Sequence, residues 1–410
     1  MSNAYSKDLE RWLPRLIAVW RAARGKGDGP EGRLTPQEVK EVGAGVKQLS
    51  LGLTRDRQLA GARYMDDPRL LGAYLLFYWP VSYAQARQVL GELPNRPRHV
   101  LDLGSGPGPV AFAAMDAGAS EVTAADRSKP ALALALKLAT EAGEALATRE
   151  WDPLKKNAAL PDGQYDLVTM GHVVNELYGA NDDALKPRAA LLEAVLAKVK
   201  KGGSLLVMEP ALRETSRNLL KVRDLLVERG YGIRAPCLYR GACPALVKET
   251  DWCHAERAWP MPRVVEELAR TAGFHKESLK MSYLVVAPKG EAWPEPPPGR
   301  LFRIVSESLE GKGRQRYIGC GPEGRVGLAM QERHRAEKNE RFFHLERGDV
   351  IDVTDLETKG DGFALGENAE VRMVAQAGRG VPPGPPKALE APAAPKAPDT
   401  AAAPVPPIKP

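Results

Sequence analysis

Along the chain, apolar positions first recur at helical spacing. Trp12, Leu13, Leu16, Ile17 and Trp20 share one face, and Val39, Val42, Val46 and Leu49 form a second stripe. Thr35-Pro36-Gln37-Glu38 opens that second helix as a capping box with proline at the first helical position. Tyr74, Phe77, Tyr78, Trp79 and Tyr83 make an aromatic segment that predicts a helix packed against the neighbouring region, with no chemistry of its own. Together these stretches predict a helical N-terminal domain over residues 1–96.

At His99 the period changes. HVLDLG, EVTAAD, ATREWD, YDLVTMG and GSLLVMEP read as buried strands with helical stretches between most of them, an alternation that specifies a parallel sheet covered by helices on both faces. A helix ending at Gly230, another over 262–272 closed by Gly273, and the strand KESLKMSYLVVAP follow. The pattern predicts an α/β, Rossmann-like domain over 97–290 with an insertion at 231–260, then a linker, EAWPEPPPG, at 291–299. LFRIVSE, RQRYIGC, GRVGLAM and DVIDVTD predict a small β-barrel-like module over 300–375. Residues 376–410 are expected to be a disordered tail, because 381–410 holds 11 Pro and 8 Ala and no aromatic residue.

Composition narrows the function classes. The 410 residues carry 58 Lys+Arg against 52 Asp+Glu, a net charge of +6, too small to make the whole surface bind polyanions. Residues 300–347 hold 11 Lys+Arg against 7 Glu, most of that excess, so anion binding is expected there or the face is only solvated. Arg314-Gln-Arg-Tyr-Ile-Gly319 suits phosphate pairing by the arginines with Tyr317 stacking on an unpaired base. The apolar run at 73–84 is broken by Pro80 and is shorter than the roughly 20 residues a membrane span needs. Asp8 and Glu10 near the start, with no apolar h-region, fit neither a secretory signal nor a transit peptide. A cytoplasmic monomer with no membrane partner is expected, and its four cysteines are too few for a disulfide framework.

The chemistry concentrates in two places. His99 to Gly108 is a buried strand running into a glycine turn ahead of a helix, a context in which glycines let a ligand approach the backbone. A dinucleotide fingerprint would put its third glycine at 109, but Pro109 stands there and the third glycine is Gly108. The spacing Gly104-x-Gly106-x-Gly108, with Asp102 in the strand, resembles motif I of the class I S-adenosylmethionine-dependent methyltransferases; the alternative is a tight turn without a ligand. Asp126 closes the second strand, where a carboxylate can accept both ribose hydroxyls, and Asp152 follows the third, where such enzymes bond the adenine amino group. The expected cofactor site is therefore Asp102, Gly104, Ser105, Gly106, Gly108, Asp126, Asp152 and His172. Asn175 and Glu176 could hold a methyl acceptor or merely cap and satisfy the core, and no residue is assigned a catalytic role.

The second place is the cysteines. Cys237, Cys243 and Cys253 are spaced C-x5-C-x9-C among prolines and glycines, and Cys320 lies in the β module. Four thiolates can hold tetrahedral zinc or an iron–sulfur cluster; the spacing lacks the C-x2-C knuckle of most zinc sites, and unrelated free thiols are the third possibility. His254 is a conceivable further ligand or a packing residue.

The methyltransferase-type core, the aromatic segment at 74–83, Asn175-Glu176-Leu177 after the fourth strand and the Pro-Cys…Cys-Pro…Asp-Trp-Cys insertion together resemble the small-ribosomal-subunit assembly methyltransferase-like family Rsm twenty-two over about residues 35–355. The resemblance implies S-adenosylmethionine, a [4Fe–4S] cluster on Cys237, Cys243, Cys253 and Cys320, and action on the small ribosomal subunit or its precursor and its rRNA. Leu238-Tyr239 departs from the Pro-His common after the first cysteine of that family. Two other readings stand beside it: a non-catalytic assembly factor that uses the fold to bind RNA, and a small-molecule methyltransferase with structural zinc.

Overall fold

The computed structural model describes residues 4–25, 29–156, 158–291 and 293–384. Its N-terminal helices are α1 (Ala4–Ala23), α2 (Pro36–Ser50), α3 (Pro68–Ala73) and α4 (Trp79–Leu90). The capping box forms: Thr35 N donates to Glu38 at 2.7 Å and Glu38 N donates to Thr35 Oγ1 at 3.3 Å. Arg21 of α1 grips the same carboxylate at 2.8 Å, and its hydrogen bonds hold Glu38 down at about 2. One ion pair thus ends the first turn of α2 and binds it to α1.

The α/β region comprises β1 (His99–Leu103), α5 (Pro109–Asp116), β2 (Glu121–Asp126), α6 (Lys129–Ala142), β3 (Leu146–Glu150), β4 (Tyr165–Gly171), α7 (Leu185–Leu196), β5 (Val199–Pro210), α8 (Arg213–Glu228), β6 (Ile233–Ala235), β7 (Ala255–Ala258), α9 (Arg263–Ala272) and β8 (Ser278–Val286). The strand order is β3-β2-β1-β4-β5-β8-β6, with β7 also on β8. The strands from β3 to β5 run parallel, and β8 is antiparallel to β5, β6 and β7. This is the class I methyltransferase fold, and the chain reverses its direction of travel across the sheet between β1 and β4, where open α/β sheets bind ligands at the strand ends.

Alternation along each strand sends side chains to two cores. Leu101, Leu103, Val168 and Met170 join α7 and α8 on one face, while Val100, Leu167 and Tyr283 join α1, α2 and α4 to α9 on the other. The N-terminal helices therefore share a continuous core with the sheet, which differs from the separate domain expected over 1–96. The aromatic segment accounts for this. Trp79 lies 5.8 Å from Phe112 of α5 and donates from Nε1 to Pro107 O in the glycine turn at 3.0 Å, and Trp12 sits edge-on to Phe112 at 4.8 Å.

The C-terminal module has twice the four strands read from the sequence: β9 (Leu301–Ile304), β10 (Leu309–Gly311), β11 (Arg314–Gly321), β12 (Gly324–Gln331), β13 (Val350–Val353), β14 (Leu356–Lys359), β15 (Gly362–Leu365) and β16 (Val371–Ala375). They pair in the order β14-β15-β12-β11-β9-β13-β16, with β10 on β11, and among the described residues this path does not close into a barrel. The linker is packed, since Trp293 lies over Arg223 at 5.8 Å. The expected tail also begins as ordered chain: Ala377 N donates to Asp349 Oδ1 at 2.9 Å and Gly380 N to Gly91 O at 3.1 Å. The rest of it, from 385 onward, lies outside the described residues.

A buried ionic junction joins the three parts. Glu92, just past α4, accepts from Tyr283 Oη of β8 at 2.6 Å and pairs with Arg257 of β7 at 3.3 Å and Arg303 of β9 at 3.0 Å. All four side chains are buried. Removing one member of a buried pair leaves uncompensated charge. Glu92→Ala should lower unfolding free energy by about 3–5 kcal/mol, read as a shift in the denaturant midpoint; a loss no larger than that of an exposed substitution would show the junction to be dispensable.

Candidate functional site

At the carboxyl ends of β1, β2 and β4 a cavity of about 680 Å³, counting its mouth, is lined by Gly104, Asp126, Trp151, Asp152, His172 and Glu176 and by residues 61–66. Of the eight residues expected to bind the cofactor, Gly104, Asp126, Asp152 and His172 line it; Asp102, Ser105, Gly106 and Gly108 stand behind it.

Those four build the turn. The Asp102 carboxylate accepts from Ala111 N in α5 at 3.1 Å and from Thr169 Oγ1 in β4 at 2.7 Å, and burial raises it to about 7. It clamps helix and neighbouring strand to β1 rather than facing the cavity. Gly104 and Gly106 have φ of 69° and 52°, and a Cβ on Gly104 would lie 2.6 Å from Val173 Cγ2. Asp126 accepts from Gly106 N at 2.8 Å and from Ser128 N at 2.7 Å, so the second strand's carboxylate sets the position of the glycine turn. Burial raises Asp126, and those backbone donors oppose it.

Sequence reasoning missed two parts of the wall. Trp151 sits next to Asp152, and its buried Nε1 has no partner; His172 Nδ1 is likewise unpartnered, while His172 Nε2 meets Gln85 at 2.9 Å. Two unpaired nitrogens in a cavity that also holds carboxylates fit a ligand with acceptors and hydroxyls, as a nucleoside is. The other part is the strap 61–66, which crosses the cavity between α2 and α3. Arg63 pairs with Asp152 at 3.3 Å, Ser128 Oγ donates to Asp66 at 2.8 Å, and Arg127 donates to Ala62 O. On the far side the strap is held by Glu176, which accepts from Gly61 N at 3.2 Å and Tyr64 Oη at 3.4 Å. Asn175 is satisfied within the protein, donating to Glu209 and accepting from Arg57 at 2.7 Å. No local signal in GARYMDD announces a wall, because its partners lie roughly 60 to 115 residues further on.

A second cavity, about 840 Å³ with its mouth, is lined by Cys237, Cys243, Cys253 and Cys320 together. The insertion brings three of them and β11 the fourth. Burial and the neighbouring thiols push Cys243 up to about 12 and Cys253 to about 11, and raise Cys320 as well. His254, Arg257, Arg303, Arg325 and Arg347 also line it, and His254 Nδ1 and the Nε atoms of Arg257 and Arg303 are buried without hydrogen-bond partners, while Arg347 Nε faces Glu256 at 4.0 Å. Such a lining suits an anionic group with several acceptors, such as thiolate-ligated iron and sulfide, more than four neutral thiols. Among the described residues no group of three or more His, Cys, Asp or Glu side chains is arranged to hold a single metal ion.

The basic module departs from expectation at Tyr317 and at two of the five arginines, Arg314, Arg316, Arg325, Arg333 and Arg335, expected to contact phosphate. Tyr317 is buried at 1% exposure, edge-on to Phe342, so it packs the module and cannot stack on a base. Alternation along β11 turns Arg314 and Arg316 outward and Tyr317 inward. Arg325 is paired with Asp251 at 2.8 Å and Arg335 with Glu340, whereas Arg314, Arg316 and Arg333 are exposed. No helix among the described residues is long and apolar enough to cross a membrane.

Strand order and the strand-end cavity define a protein of the class I methyltransferase fold. A family profile described as mitochondrial small ribosomal subunit Rsm22 matches residues 70–341, and the chain belongs to that family. No curated protein matches it. Among solved structures, a candidate class I S-adenosylmethionine-dependent methyltransferase of Listeria monocytogenes shares 13% identity, covering 72% of this chain and 91% of its own, with a TM-score of 0.35. A ribosomal protein L11 methylase of Lactobacillus delbrueckii subsp. bulgaricus shares 16%, covering 51% and 78%, with a TM-score of 0.30. The plantazolicin methyltransferase BpumL, solved with S-adenosylhomocysteine, shares 11%, covering 62% and 98%, with a TM-score of 0.33. These likenesses are slight; the fold assignment rests on the strand order.

Burial raises Glu176 from the ordinary 4.5 to about 7. An acid whose pKa is higher folded than unfolded stabilises the fold fully below its unfolded value, and that contribution is lost as pH rises through the folded one. Wild-type protein should therefore lose stability between pH 4.5 and about 7 through this group. In Glu176→Gln the amide can still accept from Gly61 and donate to Tyr64, so thermal unfolding should vary less with pH over that window; an unchanged profile would show that Glu176 does not titrate there.

Proposed function

We propose that this protein binds S-adenosylmethionine at the strand-end cavity, holds a [4Fe–4S] cluster on its four cysteines, and acts on the small ribosomal subunit or its precursor through rRNA. The observation that carries the cofactor reading is the meeting of Gly104, Asp126 and Asp152 in one cavity with the unpaired nitrogens of Trp151 and His172. Asp126 would hold the ribose, and Asp152 the adenine amino group, while the glycine turn admits the methionyl part. Bound there, the sulfonium supplies an activated methyl group, so the chain's task is to align an acceptor and exclude water. The strap 61–66 is placed to exclude water. Cys237, Cys243, Cys253 and Cys320 would supply four thiolates to the cluster, with zinc as the alternative occupant.

A second reading, an assembly factor that transfers no methyl group, is favoured by the strap itself. It lies across the cavity, tied to Glu176 at one end and to Asp152 at the other, so it covers the face from which an acceptor would enter.

Calorimetry with S-adenosylhomocysteine should show one site, and Asp126→Ala should abolish or greatly weaken it, since it removes the ribose acceptor and loosens the glycine turn. Equal binding by both proteins, or none by either, overturns the cofactor reading.

For the ribosomal partner, the exposed set Arg314, Arg316 and Arg333 is the test. Changed together to Gln, these should weaken co-sedimentation with small subunits and flatten its salt dependence by about one unit of log–log slope per lost phosphate contact. A triple variant that sediments like wild type at every salt concentration would move the contact off this face.

A further inference from the structure

We infer that the strap 61–66 competes with the cofactor for its own cavity. Met65 covers the glycine turn where a methionyl group would lie, Arg63 holds the carboxylate of Asp152, and the strap must lift before S-adenosylmethionine enters. The inference rests on the cofactor reading of the strand-end cavity and concerns the regulation of that same site.

The strap is short and lightly structured. Gly61 opens it with φ of 80°, one tight helical turn over Tyr64–Asp66 follows, and Asp67 ends it by capping α3, accepting from Arg69 N at 2.8 Å. Met65 then lies on the glycine turn. A Cβ built on Gly106 would stand 2.9 Å from Met65 Cε and 3.1 Å from its Sδ, so the thioether and its methyl fill the space above that glycine. The missing Cβ is what lets a ligand approach the backbone, and a methionine of the chain itself has taken that approach. The group it brings, a sulfur bearing a methyl, is the one a methionyl ligand would bring.

Further along the strap the competition is for a carboxylate. Asp152 is the group assigned to the adenine amino group, and Arg63 donates to its Oδ2 at 3.3 Å. Asp66 accepts from Ser128 Oγ at 2.8 Å, on the residue whose N–H Asp126 holds. A wall that only framed the cofactor would leave the glycine turn and Asp152 free to receive it; this strap uses both. Its fastenings are of a kind that can release. Arg63 is 53% exposed, and an ion pair open to water contributes little. Met65 is unbranched and repacks readily. A cavity open for only a fraction of the time binds with its affinity reduced by that fraction, so loosening the strap raises affinity.

The test is calorimetry on the full chain as wild type, Arg63→Ala and Met65→Ala, with circular dichroism to check folding. The probes are S-adenosylhomocysteine and, by displacement of it, adenosine. Arg63→Ala should tighten both ligands by about 5-fold, because freeing Asp152 helps anything that carries adenine. Met65→Ala should tighten S-adenosylhomocysteine more than adenosine, since adenosine has no methionyl part to contend with Met65. Loss of a supporting wall weakens binding, so a gain separates competition from damage. Variants that bind both ligands as wild type does, or more weakly, overturn this inference alone. A Met65→Ala gain equal for the two ligands also overturns it, by removing Met65 as the methionyl competitor. No binding of S-adenosylhomocysteine by any of the three proteins overturns the cofactor reading and the inference together.

Discussion

The carboxylate of Glu92 is the buried charge at which the C-terminal module meets the sheet and the N-terminal helices. Two buried guanidiniums, Arg257 on the sheet and Arg303 on the module, share that one carboxylate, with Tyr283 donating to it as well. Neither arginine could remain buried without it. The consequence reaches the cysteines. Cys320 is paired beside Arg303 in the ladder of β9 and β11, so holding Arg303 against the sheet also holds Cys320 beside the insertion that carries the other three.

The same junction leaves a surplus of positive charge. Two guanidiniums face one carboxylate, backbone carbonyls of Glu256, Arg347 and Gly348 take further N–H groups, and both arginines line the thiol cavity with their Nε atoms buried and unbonded. An anionic centre in the cavity would complete the compensation that Glu92 begins, and its loss would leave like charges buried together. The cost of that burial is why such a cluster of arginines is not an ordinary packing solution.

Local signals were legible in the sequence wherever the physics is local. The capping box at Thr35, the glycine turn ahead of α5 and the alternation of strands and helices each depend on neighbours a few residues away, and each is present. The site was legible only on its sheet side. Asp126 and Asp152 end strands whose pattern is plain, but Trp151 and the strap 61–66 join the cavity through long-range contacts that no period announces. Tyr317 shows the opposite error. Arg314 and Arg316 just before it suggested an exposed aromatic, but in a strand the neighbours of an outward residue point inward, and Tyr317 fills the module's core. The boundary drawn at residue 96 was less legible, since apolar stripes show that a helix is covered and not by what, and the N-terminal helices share one core with the sheet.

One helix connects the two cavities physically. Near the end of β5 the Glu209 carboxylate takes both the backbone and side-chain N–H of Asn175 beside the strand-end cavity, and α8 follows within a few residues. Along α8, Arg217 donates to the carbonyls of Ala245, Lys248 and Asp251, and Arg223 to those of Tyr239 and Gly241. The insertion is thus fastened to a helix by guanidinium-to-carbonyl bonds where a strand ladder would ordinarily serve. Side chains rotate about several bonds and ladders do not, so a loop held this way can adjust to a bound centre without disturbing the sheet.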